Sequence, residues 1–114
     1  MTLHYLEIVT KDVDAVCATY AAALQVVFSE PIATLGGART APRAGGGLLG
    51  VRAPMHASEQ AVVRPYALVA DIHAAVDAAV RAGGVLALPP MPLPGYGTCA
   101  IYFLGGIEPG LWQL

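Results

Sequence analysis

Residues 69–90 read "VADIHAAVDAAVRAGGVLALPP" and residues 9–24 read "VTKDVDAVCATYAAAL". Each places an acid before apolar residues at helical spacing. In the later stretch, Asp71 precedes Ile72, Ala75, Val76, Ala79 and Val80, and Gly83-Gly84 follow. In the earlier one, Asp12 precedes Val13, Val16, Cys17, Tyr20 and Leu24. Apolar residues three and four apart share one helix face, an acid suits the N-cap, and glycines stop a helix. A short apolar strand leads into each helix, "LHYLEIVT" before the first and "RPYALVA" before the second.

The two acids stand 59 residues apart, and the same offset aligns much else without a gap. Val26-Val27 meets Val85-Leu86, Pro31 meets Pro90, Gly36 meets Gly95, Ala41 meets Ala100, and Gly46-Gly47 meets Gly105-Gly106. The shared order of strand, capped helix, strand and Gly-rich turns points to two copies of one supersecondary unit. The expected elements cover roughly 3–10, 12–24, 26–29, 37–42 and 47–53, then 63–70, 71–83, 85–88, 97–103 and 108–113. This predicts an α+β chain of two βαβββ modules, about 1–55 and 62–114, in a single domain. About eight strands would form one curled mixed sheet with both helices outside. "APMHASEQAVV" (53–63) reads as the linker. "PPMPLPG" (89–95) reads as an extended connector, because proline cannot donate to a ladder.

The chain has 114 residues, long enough to bury a core without disulfides or a structural metal. Apolar residues make up 56% and charged residues only 12%. So little surface charge implies apolar surface covered by a partner, and a homodimer is expected. The net charge is −2 and there is no basic run, so nucleic-acid binding has no support. No apolar run is long enough for a membrane helix, and the N-terminus lacks the pattern of a signal peptide. Cys17 and Cys99 are far apart and form no C-x-x-C, which suits reduced thiols in the cytoplasm.

On the quoted helices, and on the ending "GGIEPGLWQL" (105–114), the chain resembles the vicinal oxygen chelate superfamily. That superfamily includes glyoxalase I, bleomycin resistance proteins and extradiol dioxygenases; the ending is similar to a glyoxalase-like branch of unassigned activity. The resemblance implies a curled sheet enclosing a cavity and, in metal-dependent members, ligands on the first and last strands of each module. Carried over, the first-strand ligand positions fall on Tyr5 and Arg64, and the last-strand positions, where a carboxylate is expected, on Val51 and Gly110. Arginine stays protonated and cannot ligate a metal. No metal and no other cofactor is therefore expected. The alternative is a shifted register with His4 and Glu108 turned inward and His56 recruited.

Alternation along the first strand gives an independent reading, since residues two apart share a face. His4, Leu6 and Ile8 should face the helix; Tyr5, Glu7 and Val9 should face the cavity. In the second module Arg64, Tyr66 and Leu68 match the latter set. His4 and Glu7 thus belong to opposite faces, and His4 reads as structural. Glu7 has two readings: an ion pair with Arg64 or Arg39, or an acid/base and anchor for a ligand. Glu108 has the same two, and Trp112 suits either the cavity or a dimer interface. "GGG" (45–47) lacks the G-K-[ST] ending of a phosphate loop and reads as a tight turn. His56 and Glu59 read as solvated loop residues, and His73 as exposed on its helix. No Ser or Cys triad is recognisable.

The expectation is a protein that binds a small organic molecule, or transforms it without a metal. Glu7 is the candidate catalytic acid/base; Tyr5, Arg64, Tyr66, Glu108 and Trp112 are candidate ligand contacts. A metal-dependent lyase or dioxygenase, and a non-catalytic drug-sequestering protein, are the alternatives.

Overall fold

A computed structural model describes residues 1–114. The chain forms β1 (Leu3–Val9), α1 (Val13–Leu24), a short 3-10 turn (Ala33–Leu35), β2 (Arg39–Pro42) and β3 (Leu48–Arg52). It continues with β4 (Val62–Leu68), α2 (Ile72–Arg81), β5 (Val85–Leu93), β6 (Gly97–Phe103) and β7 (Gly110–Gln113). Two helices with strands in mixed directions make an α+β fold. No helix is long and apolar enough to cross a membrane. By contacts the chain divides into two compact units, Tyr5–Val63 and Arg64–Leu114, with Met1–His4 joining the latter.

In the unit Tyr5–Val63, β3 pairs in parallel with β1, with Glu7 opposite Gly50, and β2 pairs antiparallel with β3. The β2–β3 turn is the expected one: Gly45, Gly46 and Gly47 all have positive φ, and the Arg43 N–H donates to the Gly47 carbonyl. Ile8, Cys17, Leu49 and Val51 form the core, with Leu6, Val13, Val16, Tyr20 and Phe28 against it. Leu6 and Ile8 thus face α1, as alternation predicts.

The strand expected over 26–29 does not form. Gln25 ends α1 in the left-handed region (φ 55), and the chain then runs without a ladder. The Ser29 N–H does reach the Thr40 carbonyl (2.7 Å), but the Thr40 N–H goes to the Ser29 hydroxyl (3.0 Å). A side chain therefore takes a bond that a ladder would use, and Pro31 has no N–H to continue one. The chain has seven strands, not eight.

In the unit Arg64–Leu114, the strand order is β4-β7-β6-β5. β4 and β7 are parallel, with Tyr66 opposite Gly110, and β6 is antiparallel to β7 and β5. Ile72, Val76, Ala100 and Leu111 form the core. β5 runs on through Pro89, Pro90 and Pro92, so the expected connector is strand. It lies at the end of this order and its pairing is irregular around Leu88, which is where prolines are tolerated.

In both modules the first strand pairs in parallel with the last. Glu7 and Tyr66 keep the 59-residue offset, but their partners Gly50 and Gly110 stand 60 apart. The gapless match slips by one residue in the last strand, so Gly50, not Val51, is the counterpart of Gly110.

Candidate functional site

Glu7 and Arg52 lie on one face of the β1–β3 pair, because Glu7 is opposite Gly50 and Val9 opposite Arg52. Both are buried, at 6% and 5% exposure. Arg52 Nε donates to Glu7 Oε2 at 2.9 Å. Its Nη1 and Nη2 donate to the two oxygens of Glu59 at 2.8 and 2.7 Å. The Met55 N–H also donates to Glu59 Oε1 (2.7 Å). Burial alone would lower the affinity of Arg52 for its proton; the Glu59 hydrogen bonds and the two carboxylates override this and raise its pKa. The same hydrogen bonds hold the Glu59 carboxyl down at about 2.

These contacts correct two expectations. Glu7 pairs with Arg52, a residue the sequence reading did not name, and Arg39 is not its partner. Arg39 instead donates to Asp14 (2.9 Å) and to the Ser29 carbonyl (3.1 Å). Glu59 is not a solvated loop residue, although His56 beside it is exposed and bonds Ser58 (2.8 Å). Arg52 was overlooked, but its signal was present: it ends the last strand of its module with the parity of Glu7's partner.

Tyr5, 3% exposed, lies over Gly50; a Cβ there would collide with the phenol. The second module repeats the device, with the Tyr66 ring seated on Gly110. Tyr66 also meets Trp112 edge-on, with ring centroids 5.5 Å apart and planes at 89°. On Trp112, His4 lies tilted at 5.4 Å, and Trp112 Nε1 donates to the Tyr96 carbonyl (2.9 Å). Arg64 Nε donates to the Glu108 carbonyl (2.9 Å), and its Nη2 reaches the Glu108 carboxylate at 3.4 Å. Glu108 itself precedes β7 and its side chain is 43% exposed, so it is a rim residue rather than one of a strand face. The structure thus joins Arg64 to Glu108 and Tyr66 to Trp112 in one unit, and places Tyr5 and Glu7 with Arg52 and Glu59 in the other. A groove of about 760 Å³ beside α1, lined among others by Val9, Thr10, Asp12, Val16, Tyr20 and Val63, includes none of the candidate residues.

The donors do not fit a divalent metal. The positions where the sequence resemblance would put metal ligands carry Tyr5 and Arg64 on the first strands and, in the observed register, Gly50 and Gly110 on the last. A carboxylate at either glycine would have to displace a tyrosine ring. No three His, Cys, Asp or Glu side chains come together as a metal-binding group.

No family model and no curated protein sequence matches the chain. Solved structures do. A hypothetical protein from Bacillus halodurans is 12% identical with TM-score 0.75, covering 99% of this chain and 94% of its own. Methylmalonyl-CoA epimerase from Mycobacterium tuberculosis is 17% identical with TM-score 0.70, covering 97% and 86%. A Legionella pneumophila structure named as an NAD-dependent benzaldehyde dehydrogenase is 12% identical with TM-score 0.68, covering 96% and 97%. One architecture thus carries names of different reactions, and such a likeness speaks for architecture, not chemistry. The likeness to the methylmalonyl-CoA epimerases is one of fold: the chain has the glyoxalase-like fold that its sequence resemblance implies.

Proposed function

We propose that this protein binds a small organic molecule with an apolar body and one anionic group, and that any reaction on it proceeds without a divalent metal. One observation carries the reading. Arg64, 6% exposed, is held by a backbone carbonyl on Nε, and its Nη2 makes a long 3.4 Å reach to a half-exposed carboxylate. A ligand anion can replace that contact at little cost, and a guanidinium receives an anion at two points. Tyr66 and Trp112, on the same unit, suit the apolar body. The epimerases of this fold are named for methylmalonyl-CoA, a molecule that carries a carboxylate. Taken by itself, the other unit offers Tyr5 as a candidate contact and Glu7 as a candidate proton-transfer group. The donors at the superfamily positions support the metal-free form.

A thermal-shift screen of small carboxylates with matched neutral amides tests this. A true ligand raises the melting temperature of the native protein and fails to do so for Arg64→Ala. Equal stabilisation of both overturns the assignment. Turnover that Glu7→Gln abolishes makes the protein an enzyme; binding without turnover makes it a sequestering protein. Elemental analysis of protein purified without chelator should find no stoichiometric transition metal.

A further inference from the structure

Arg52 is presented to its surroundings in two halves. Its Nε side is fixed from within the sheet by Glu7 of β1. Its outer fork is filled by Glu59, at 2.8 and 2.7 Å, in the parallel two-point geometry by which a guanidinium receives a carboxylate. Glu59 belongs to no helix or strand. It lies in the segment 53–61 between β3 and β4, and its side chain is 17% exposed where Arg52's is 5%. Beyond Arg52, it is tied only to that segment's own backbone: the Met55 N–H donates to its Oε1 (2.7 Å), and its N–H donates to the His56 carbonyl (3.1 Å).

We propose that the outer fork of Arg52 is a binding site for a small free carboxylate, filled in this structure by Glu59 as an internal stand-in. The exchange conserves charge. One carboxylate leaves the fork for water and another enters, so Arg52 is never left buried beside Glu7 alone, and no additional charge is desolvated. Beyond its Cα, the Glu59 side chain has the atoms of propionate, which sets the size of acid that fits. The Met55 methyl lies over Gly36, where a Cβ would also come within 3.2 Å of Arg52 Cδ, so an apolar group stands beside the Arg52 stem. The acid is therefore one with a short aliphatic tail. This site shares no residue with the Arg64–Glu108 pair and stands or falls separately from it.

The test uses sodium propionate, with propionamide and sodium chloride as controls, followed by the backbone amide resonance of Met55. In the native protein, propionate should move that resonance, because displaced Glu59 no longer accepts from the Met55 N–H; the controls should not. Glu59→Ala, with the fork vacated, should bind propionate about tenfold or more tightly than the native protein. Glu59→Gln keeps the side-chain volume while weakening the competing charge, and should fall between. Arg64→Ala should leave the Met55 response intact, and loss of the response there would overturn the assignment to Arg52. Propionate binding to Glu59→Ala with the native Met55 amide unmoved would overturn the proposal, since Glu59 would then be a permanent latch. Equal affinity in the native protein and Glu59→Ala would overturn it as well.

Discussion

Single atoms decide the chemistry near the strand pairs. Gly50 and Gly110 both lack positive φ, so glycine is present there for space, not backbone freedom. At Gly50 a Cβ first meets the hydroxyl end of Tyr5; at Gly110 it meets the Tyr66 ring from Cγ outward, close to its anchor on the backbone. A ring tip yields more readily than a ring root. Gly110→Ala should therefore destabilise more than Gly50→Ala, each within the roughly 1–3 kcal/mol typical of overpacking. Denaturant midpoints read this, and equal or reversed costs would refute the ring-seat account. Glu59 gives a prediction with pH. Its carboxyl is lowered from 4.5 to about 2, chiefly by the hydrogen bonds from Arg52, against burial, with a smaller contribution from the Met55 N–H. A carboxylate depressed on folding contributes stability that is fully present above its unfolded value and is lost as pH falls through its folded value. The native protein should melt above Glu59→Gln at neutral pH, and this gap should close between about pH 4.5 and about 2. A gap independent of pH would assign the effect to packing.

At the scale of elements, the two helices begin alike in sequence and differently in structure. Asp71 Oδ1 accepts from the Ala74 N–H (3.1 Å), and the Ile72 N–H donates to the Gln113 side chain (2.8 Å). Asp12 makes no such cap; its own N–H donates to the Thr10 hydroxyl (3.1 Å). Asp71→Ala should cost ~1 kcal/mol, as loss of an N-cap does, while Asp12→Ala should cost only the smaller attraction of an acid for the helix dipole. Equal costs in thermal unfolding would show the cap bond to be immaterial. The helices, the Gly45–Gly47 turn and the facing of Leu6 and Ile8 were legible because each rests on residues close in sequence. The missing strand at 26–29 was not, since a Ser29–Thr40 bond replaces its ladder. Nor was the length of β5, where position at the end of the strand order overrides the proline signal. The Arg52 cluster was hidden for a related reason: Glu7 lies 45 residues away in sequence, and Glu59 sits in a segment whose composition reads as linker. Register was the other loss, because a one-residue slip moves a strand's residues to the opposite face.

At the scale of the whole molecule, apolar composition has to find cover. In β5 and β6, Val85 and Phe103 are cross-strand partners and remain 63% and 44% exposed. Leu86, Met91 and Leu104 nearby are 40%, 41% and 48% exposed. Not one residue of the nine in β5 is buried. Apolar side chains left exposed at facing positions, as at Val85 and Phe103, are what an interface would cover, and a chain with 12% charged residues has few charges to interrupt them. The prolines of β5 oppose strand-to-strand extension of the sheet at that edge, so the contact expected is face to face, through side chains. We propose a homodimer, the commonest closed assembly, in which each copy presents the same patch. Light scattering on a sizing column should give twice the 11.7 kDa chain mass at micromolar concentration. Placing lysine at both Val85 and Phe103 sets like charges on each copy's patch and should return the monomer with its circular dichroism unchanged, because both side chains already face solvent. A native protein that elutes as a monomer at that concentration refutes the dimer, and a double variant that stays dimeric moves the interface to another face.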